Sequence, residues 1–271
     1  MVKKVAFVGA GSMAEAIMAG MVNKEFLSSE QIFVTNKENE ERLKELATKY
    51  EVKTSQDKVT VLRDADIVMF ATKPYDLESA INDVKEYVTE DQLIISVIAG
   101  ISTDFIKEKI GKDVAVIRSM PNTSATIGYS ATAIAKGKFA TDKDIALAEE
   151  LFAAIGTVSV VEEDQMHIVT GISGSGPAYI YYLVEAMEQA AMNHGLDQAT
   201  AKQLITQTVI GAGHMLEQAR EPVATLRENV TSPNGTTAAG LDTLTSYDFA
   251  KAVESCVANA TKRSRELGSD E

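Results

Sequence analysis

Val5-Ala-Phe-Val-Gly9-Ala-Gly11-Ser-Met-Ala14 decides the fold. Four apolar residues run straight into two glycines one residue apart, and an amphipathic stretch, Met13–Asn23, comes next. Between a strand and a helix, a G-x-G-x-x-A pattern is the turn that holds a dinucleotide. Gly9 permits the tight turn, Gly11 lets the backbone approach a pyrophosphate, and Ala14 keeps helix and strand close. The opening turn of the helix adds unpaired N–H groups for the anion. A glycine-rich turn without ligand has the same letters, so the pattern of the next 150 or so residues decides between the two.

That pattern is alternation. Val5–Val8, Ile32–Thr35, Ile67–Phe70, Leu93–Val97 and Val114–Arg118 are short, almost continuous apolar runs, as strands buried on both faces require. Met13–Asn23, Glu38–Tyr50, Tyr75–Tyr87 and Thr103–Ile110 separate them at helical spacing. Ser130–Ala135 and Val158–Val161 flank a further helix over about 142–154 and complete the sheet. The pattern predicts an α/β domain over residues 1–161, a doubly wound open parallel sheet that binds a nicotinamide dinucleotide.

After residue 161 no strand is expected. Ala178–Asn193 reads as a helix with Pro177 at its first turn, succeeded by helices over about 197–220, 222–229, 236–244 and 249–267. Small residues such as Ala190, Ala191, Gly211 and Gly213 sit within long apolar surfaces. Helices apolar on more than one face need more neighbours than this segment supplies. Residues 162–271 are therefore expected to be an all-α domain packed against a second subunit.

Composition sets the outer limits. The chain has 271 residues, 45% of them hydrophobic, and a formal charge of -13. That charge argues against nucleic acid and anionic membrane surfaces as partners. No apolar run approaches the roughly 18 residues of a membrane span, and the short apolar run before Gly9 is too brief for a signal peptide. With one cysteine, Cys256, no internal disulfide can form. Its neighbours Val253, Val257 and Ala260 lead us to expect a buried packing thiol. His167, His194 and His214 are scattered, and no metal site is expected. A cytoplasmic protein with a small-molecule ligand fits these limits.

The end of the second strand addresses cofactor type. An NAD-specific site places Asp or Glu there for the ribose hydroxyls. This chain has Thr35-Asn36-Lys37, with Arg42 about a turn along the next helix. Asn36 can bond a phosphate and Lys37 can neutralise it, which favours NADPH, with NADH a weaker substitute. The other reading makes Lys37 a solvated lysine and gives Glu38 the acidic role. Ala71-Thr72-Lys73-Pro74, Ala99-Gly100 and Met120-Pro-Asn122 all come directly after strands, where ligands of such sheets sit. Lys73 either faces the ligand or caps its strand at the surface; the two readings are even.

At the other end of the chain lies Asn229-Val-Thr-Ser-Pro-Asn-Gly-Thr-Thr-Ala-Ala-Gly240. It reads as a helix end, a tight turn and a new helix opening on Thr236 and Thr237. Uncapped N–H groups around Gly235 suit a carboxylate.

Three stretches, Met120-Pro-Asn-Thr123, Ser173-Gly-Ser-Gly-Pro-Ala-Tyr179 and Val230–Gly240, resemble in this order the motifs of the pyrroline-5-carboxylate reductases, and residues 9–13 and 71–74 fit the same family. The resemblance spans essentially the whole chain. It departs where Ser124 stands for the usual Pro, Thr72 for the frequent Val, and Asn234 for the common Gly. It implies a Rossmann-type domain and, after it, a helical dimerisation domain, with NADPH-dependent reduction of 1-pyrroline-5-carboxylate to L-proline. It also implies a homodimer with interlocked helices, extending in larger assemblies to a decamer of dimers. By the same resemblance Thr237 lies near the ring nitrogen and is the candidate catalytic residue, with Ser175, Gly235 and Thr236 beside it on the substrate. The cofactor set is Gly9, Gly11, Ser12, Met13, Asn36, Lys37, Ala71, Thr72, Lys73, Pro74, Ala99 and Asn229. As alternatives, Thr237 and Ser175 are helix caps. A β-hydroxyacid dehydrogenase with Lys202 as its helical lysine is the nearest other enzyme, and an NADPH-binding regulator without turnover is a third reading.

Overall fold

The computed structural model describes residues 2–269. The first part alternates as expected: β1 (Val5–Val8), α1 (Ser12–Asn23), β2 (Ile32–Thr35), α2 (Glu40–Tyr50), a two-residue β3 (Lys53–Thr54), α3 (Lys58–Leu62), β4 (Ile67–Phe70), α4 (Leu77–Val84), β5 (Leu93–Ser96), α5 (Thr103–Ile110), β6 (Ala115–Met120), β7 (Ser130–Lys136), α6 (Asp142–Ala153) and β8 (Gly156–Val160). A short α7 (Met166–Val169) runs into a π turn over Thr170–Gly174. Then come α8 (Gly176–Asn193), α9 (Gln198–Gln218), α10 (Val223–Asn229), α11 (Thr236–Ser246) and α12 (Phe249–Ser269).

All eight strands form one sheet in the order β3-β2-β1-β4-β5-β6-β7-β8. The continuous apolar runs divide residue by residue between its faces. Val5, Phe7, Ile67 and Met69 join one core with Ile17 and Phe152; Ala6, Val8, Val68 and Phe70 join the other with Ile81 and Ile106. The expected parallel sheet has one antiparallel step, between β6 and β7. A parallel return needs a crossover of a dozen or more residues, and the link over residues 121–129 is too short. Strand order reverses beside β1, which has β2 on one flank and β4 on the other. That switch point opens a crevice beyond the carboxyl ends of the strands.

The chain forms two compact units: residues through Pro177 together with those from Val257 onward, and Ala178–Cys256. Strands do end near the expected boundary at 161, but the sheet unit holds more chain than that. Glu163 accepts from the Thr103 amide at 2.7 Å and from its hydroxyl at 2.6 Å. Its carboxylate also lies 3.8 Å from the guanidinium of the buried Arg118. The end of α12 packs against α7 and the π turn. A Cβ on Gly171 would meet the Thr261 hydroxyl at 2.7 Å, and His167 Nδ1 lies 3.1 Å from the Ser264 hydroxyl.

The helical unit has little interior of its own. Ala201 and Ile205 are its buried apolar residues among those described, while Tyr182 is 76% exposed and Leu204 56%. Cys256 is exposed, contrary to the packing role expected of it. Helical spacing groups it with Val253, Val257 and Ala260 on α12; Val257 and Ala260 are half-buried, while Val253 is exposed like Cys256 itself.

Candidate active site

A cleft of about 550 Å³ lies at the switch point. Val8, Gly9, Gly11, Ser12 and Met13 form one wall, and Ala71, Thr72 and Lys73 the wall opposite. The Gly9 amide donates to the Thr35 carbonyl and the Ala71 amide to the Val8 carbonyl, both at 2.9 Å, which sets the loops after three strands against each other. Gly9 has φ +117°, and a Cβ there would lie 2.5 Å from the Ala71 carbonyl oxygen. No other residue fits that turn. At Gly11 the nearest atom to an added Cβ is 4.0 Å away, so the ledge before α1 is open to a ligand. α1 starts from Gly11 with no side-chain cap, and its first N–H groups are left for an anion. These residues fit a dinucleotide pyrophosphate.

The ribose end is built around Asn36. Its carboxamide oxygen accepts the Asn39 amide at 3.0 Å and Gln56 Nε2 at 2.8 Å, and its nitrogen donates to the Asn39 carbonyl at 2.7 Å. The side chain thus shapes the turn. Lys37 is exposed on the cleft rim. A second cation, Lys58, escaped the sequence reading. Its ammonium donates to the Asn36 carbonyl at 2.6 Å and the Thr35 hydroxyl at 3.1 Å. Burial lowers its pKa from the ordinary lysine value, with Asp83 opposing. Only a fold that returns α3 to the end of β2 brings Lys58 here; nothing in its local spacing marks it.

Arg42 lies in the first turn of α2. Its guanidinium is already engaged by the Ala10 carbonyl, Glu15 and Glu45. Glu15 also accepts from Lys49 and from the Tyr50 hydroxyl, both at 2.8 Å. Burial pushes the Glu15 carboxyl up, but hydrogen bonds from Lys49, Arg42 and Tyr50 outweigh it and hold the pKa at about 2.

Beyond β4, Lys73 is exposed and lines the cleft, while Pro74 opens a 3-10 turn behind it. Ala99 lies outside the lining and packs against Met120, Ala133 and Met166. After β6, Thr123 reaches the cleft and Asn122 turns the other way, donating to the Ser173 carbonyl at 3.1 Å. Asn122 thereby fixes the Ser173–Ser175 segment. The Ser175 amide closes the π turn onto the Thr170 carbonyl at 2.8 Å. Such turns often mark functional positions.

In the helical unit the expected tight turn and helix start are present. Asn234 adopts φ +59°, Gly235 caps α11 without a side-chain bond, and Thr236 and Thr237 are exposed in its first turn. Asn229 is the last residue of α10, a short turn away. Of the expected cofactor residues, Gly9, Gly11, Ser12, Met13, Asn36, Lys37, Ala71, Thr72 and Lys73 meet in the cleft. Asn229, Gly235, Thr236 and Thr237 lie in the helical unit, at the end of α10 and the start of α11, and Ser175 closes the π turn of the sheet unit. Among the described residues no metal-binding cluster occurs.

A doubly wound sheet with a glycine-turn cleft at its switch point is the architecture of a nicotinamide-dinucleotide-binding domain, and the relatives below make the chain an NAD(P)H-dependent oxidoreductase. Residues 4–100 match the family model "NADP oxidoreductase coenzyme F420-dependent", and residues 163–267 match "Pyrroline-5-carboxylate reductase dimerisation". Over 268 residues the chain is 45% identical to pyrroline-5-carboxylate reductase 1 of Bacillus spizizenii, covering 99% of this chain and 90% of that one. The solved pyrroline-5-carboxylate reductase of Coxiella burnetii superposes with a TM-score of 0.91 at 33% identity, over 99% of both chains. The Plasmodium falciparum pyrroline carboxylate reductase with NADP bound gives 0.88 at 29% identity, over 98% of both. This chain belongs to the pyrroline-5-carboxylate reductase family.

Proposed function

We propose that the protein reduces 1-pyrroline-5-carboxylate to L-proline with NADPH. The observation that carries the reading is one chain holding both a dinucleotide cleft and an uncapped helix start at Gly235-Thr236-Thr237. The N–H groups of that start bind the substrate carboxylate. The Thr237 hydroxyl orients the ring nitrogen, and Ser175 and Asn229 hold the substrate and the cofactor amide. The reduced nicotinamide, when bound, supplies the hydride. The C=N π bond breaks, the carbon gains the hydride, and the nitrogen keeps the proton of the iminium or takes one from solvent. A threonine hydroxyl is too weak an acid to be its source, so this chain contributes mainly by positioning.

NADPH is favoured over NADH because no carboxylate ends β2, while Lys37 and Lys58 bring two cations to the ribose end. The exposed apolar faces of α8, α9 and α12, together with the dimerisation-domain match, support a homodimer with interlocked helices, and association of dimers into larger rings extends it. A single cysteine suits a cytoplasmic enzyme.

The test is NADPH oxidation by the purified protein with 1-pyrroline-5-carboxylate, NADH in parallel, and the product identified as proline. NADPH binding without turnover overturns the reaction. Equal rates with NADH at low concentration overturn the preference. Sedimentation of the same sample reads the assembly.

A further inference from the structure

We infer that Arg42 is a positioning residue for the dinucleotide, bracing the glycine turn from behind rather than meeting the ligand. This rests on the cofactor reading of the cleft. Arg42 Nε donates to the carbonyl of Ala10, between the two glycines, at 2.9 Å. One terminal nitrogen pairs with Glu15 in the first turn of α1, and the other donates to Glu45 at 2.7 Å. The Arg42 amide donates to Asn39 Oδ1 at 2.9 Å, and the Asn39 amide to Asn36 Oδ1 at 3.0 Å. One run of bonds therefore joins the phosphate turn to the ribose turn.

Peptide planarity gives the brace its effect. The Ala10 carbonyl and the Gly11 N–H belong to one planar trans unit and point in opposite directions. Fixing the oxygen on a charged donor fixes where that N–H points, in a turn flanked by glycine on both sides. The Gly11 N–H has no partner among the described residues, and it belongs to the ledge that lines the cleft. Glu15 would otherwise place a bare negative charge one turn inside a helix whose N-terminus takes a pyrophosphate. Arg42 and Lys49 neutralise it. The planar fork of arginine meets the carbonyl and both carboxylates at once, which a lysine cannot do.

The experiment compares Arg42→Met and Arg42→Lys with the parent. It reads cofactor dissociation constants by fluorescence titration, KM and kcat, and amide hydrogen exchange over residues 5–17 of the unliganded protein. We expect Arg42→Met to raise Kd and KM about ten-fold for NADPH and NADH alike. The kcat and the imino-acid KM stay within two-fold, and exchange quickens over residues 9–15. Arg42→Lys falls between. A lower melting temperature with unchanged Kd would mean a merely structural role and overturns the inference. Loss confined to NADPH overturns it too, since Arg42 would then be a ligand of the 2′-phosphate. If Arg42→Met does not fold, Arg42→Lys decides on the same two readouts. Failure of the parent protein to bind either nucleotide is a separate result that removes the cofactor reading, while the exchange comparison still reads the brace.

Discussion

The side-chain amide of Asn122 donates to the carbonyl of Ser173 at 3.1 Å, while its oxygen accepts the Ser124 amide at 3.0 Å. Asn122 is buried, and the next residue, Thr123, lines the cofactor cleft. One side chain thus couples the end of β6 to the turn that carries Ser175. Asn122→Leu leaves two backbone groups without partners, at about 1–3 kcal/mol for each that stays dry. We expect a melting temperature several degrees lower and kcat/KM down at least ten-fold. Activity within two-fold of the parent would show that Ser175 needs no such anchor.

Gly9→Ala puts a methyl group 2.5 Å from the Ala71 carbonyl oxygen at φ +117°. Both the steric contact and the backbone conformation oppose it. NADPH affinity should fall by two orders of magnitude or more. Isothermal titration of the folded variant checks this, and near-parental affinity would mean that the ligand does not use this turn.

Lys58→Met removes the cation held at the end of β2. If it reads the 2′-phosphate, KM for NADPH rises about five- to ten-fold, roughly 1–1.4 kcal/mol, with KM for NADH changed less than two-fold. Equal effects on the two nucleotides would make Lys58 a support of the Thr35–Asn36 turn only.

Thr237→Val removes a hydroxyl exposed in the first turn of α11, and Thr237→Ser keeps it. Steady-state assays should show kcat/KM reduced about ten- to a hundred-fold in the first and less than five-fold in the second. A stability loss in Thr237→Val without loss of turnover would favour the capping role instead.

Glu15 has a folded pKa of about 2, below its ordinary value of 4.5. The carboxylate is therefore stabilised in the folded protein. Its contribution is complete above about pH 4.5 and is lost as pH falls towards 2. Thermal melts of the parent and Glu15→Gln should differ at pH 7 and converge between pH 4.5 and 2.5. A gap of constant size across that range would remove the ion-pair explanation.

The sheet was legible because fully buried strands cannot avoid writing themselves as continuous apolar runs; Val5–Val8 and Ile67–Phe70 have the expected bounds. β3 at Lys53–Thr54 is two residues long and carries no periodicity to read. The glycine turn and the Gly235 turn were legible because each needs particular backbone conformations, and Asn234, standing where the family commonly has Gly, takes a positive φ. Lys58 and the true partners of Arg42 were not legible. Both depend on which loops the topology brings together. The Arg42 position was read correctly as near the second strand, but a charge in sequence does not say which charge answers it. Cys256 was misread because helical spacing identifies an apolar face without saying whether the same chain covers it.

The chain leaves the sheet unit at Pro177 and re-enters it at Val257. Truncation at the end of the last strand would discard Glu163, the carboxylate nearest the buried Arg118 guanidinium, and the α12 turn that fills the space beside Gly171. Stranding a buried cation costs about 3–5 kcal/mol, enough to unfold many domains of this size. A nucleotide-binding fragment fit for expression is therefore not an N-terminal piece. It is a spliced chain, with the excursion from 178 to 256 replaced by a short linker between two segments that already touch.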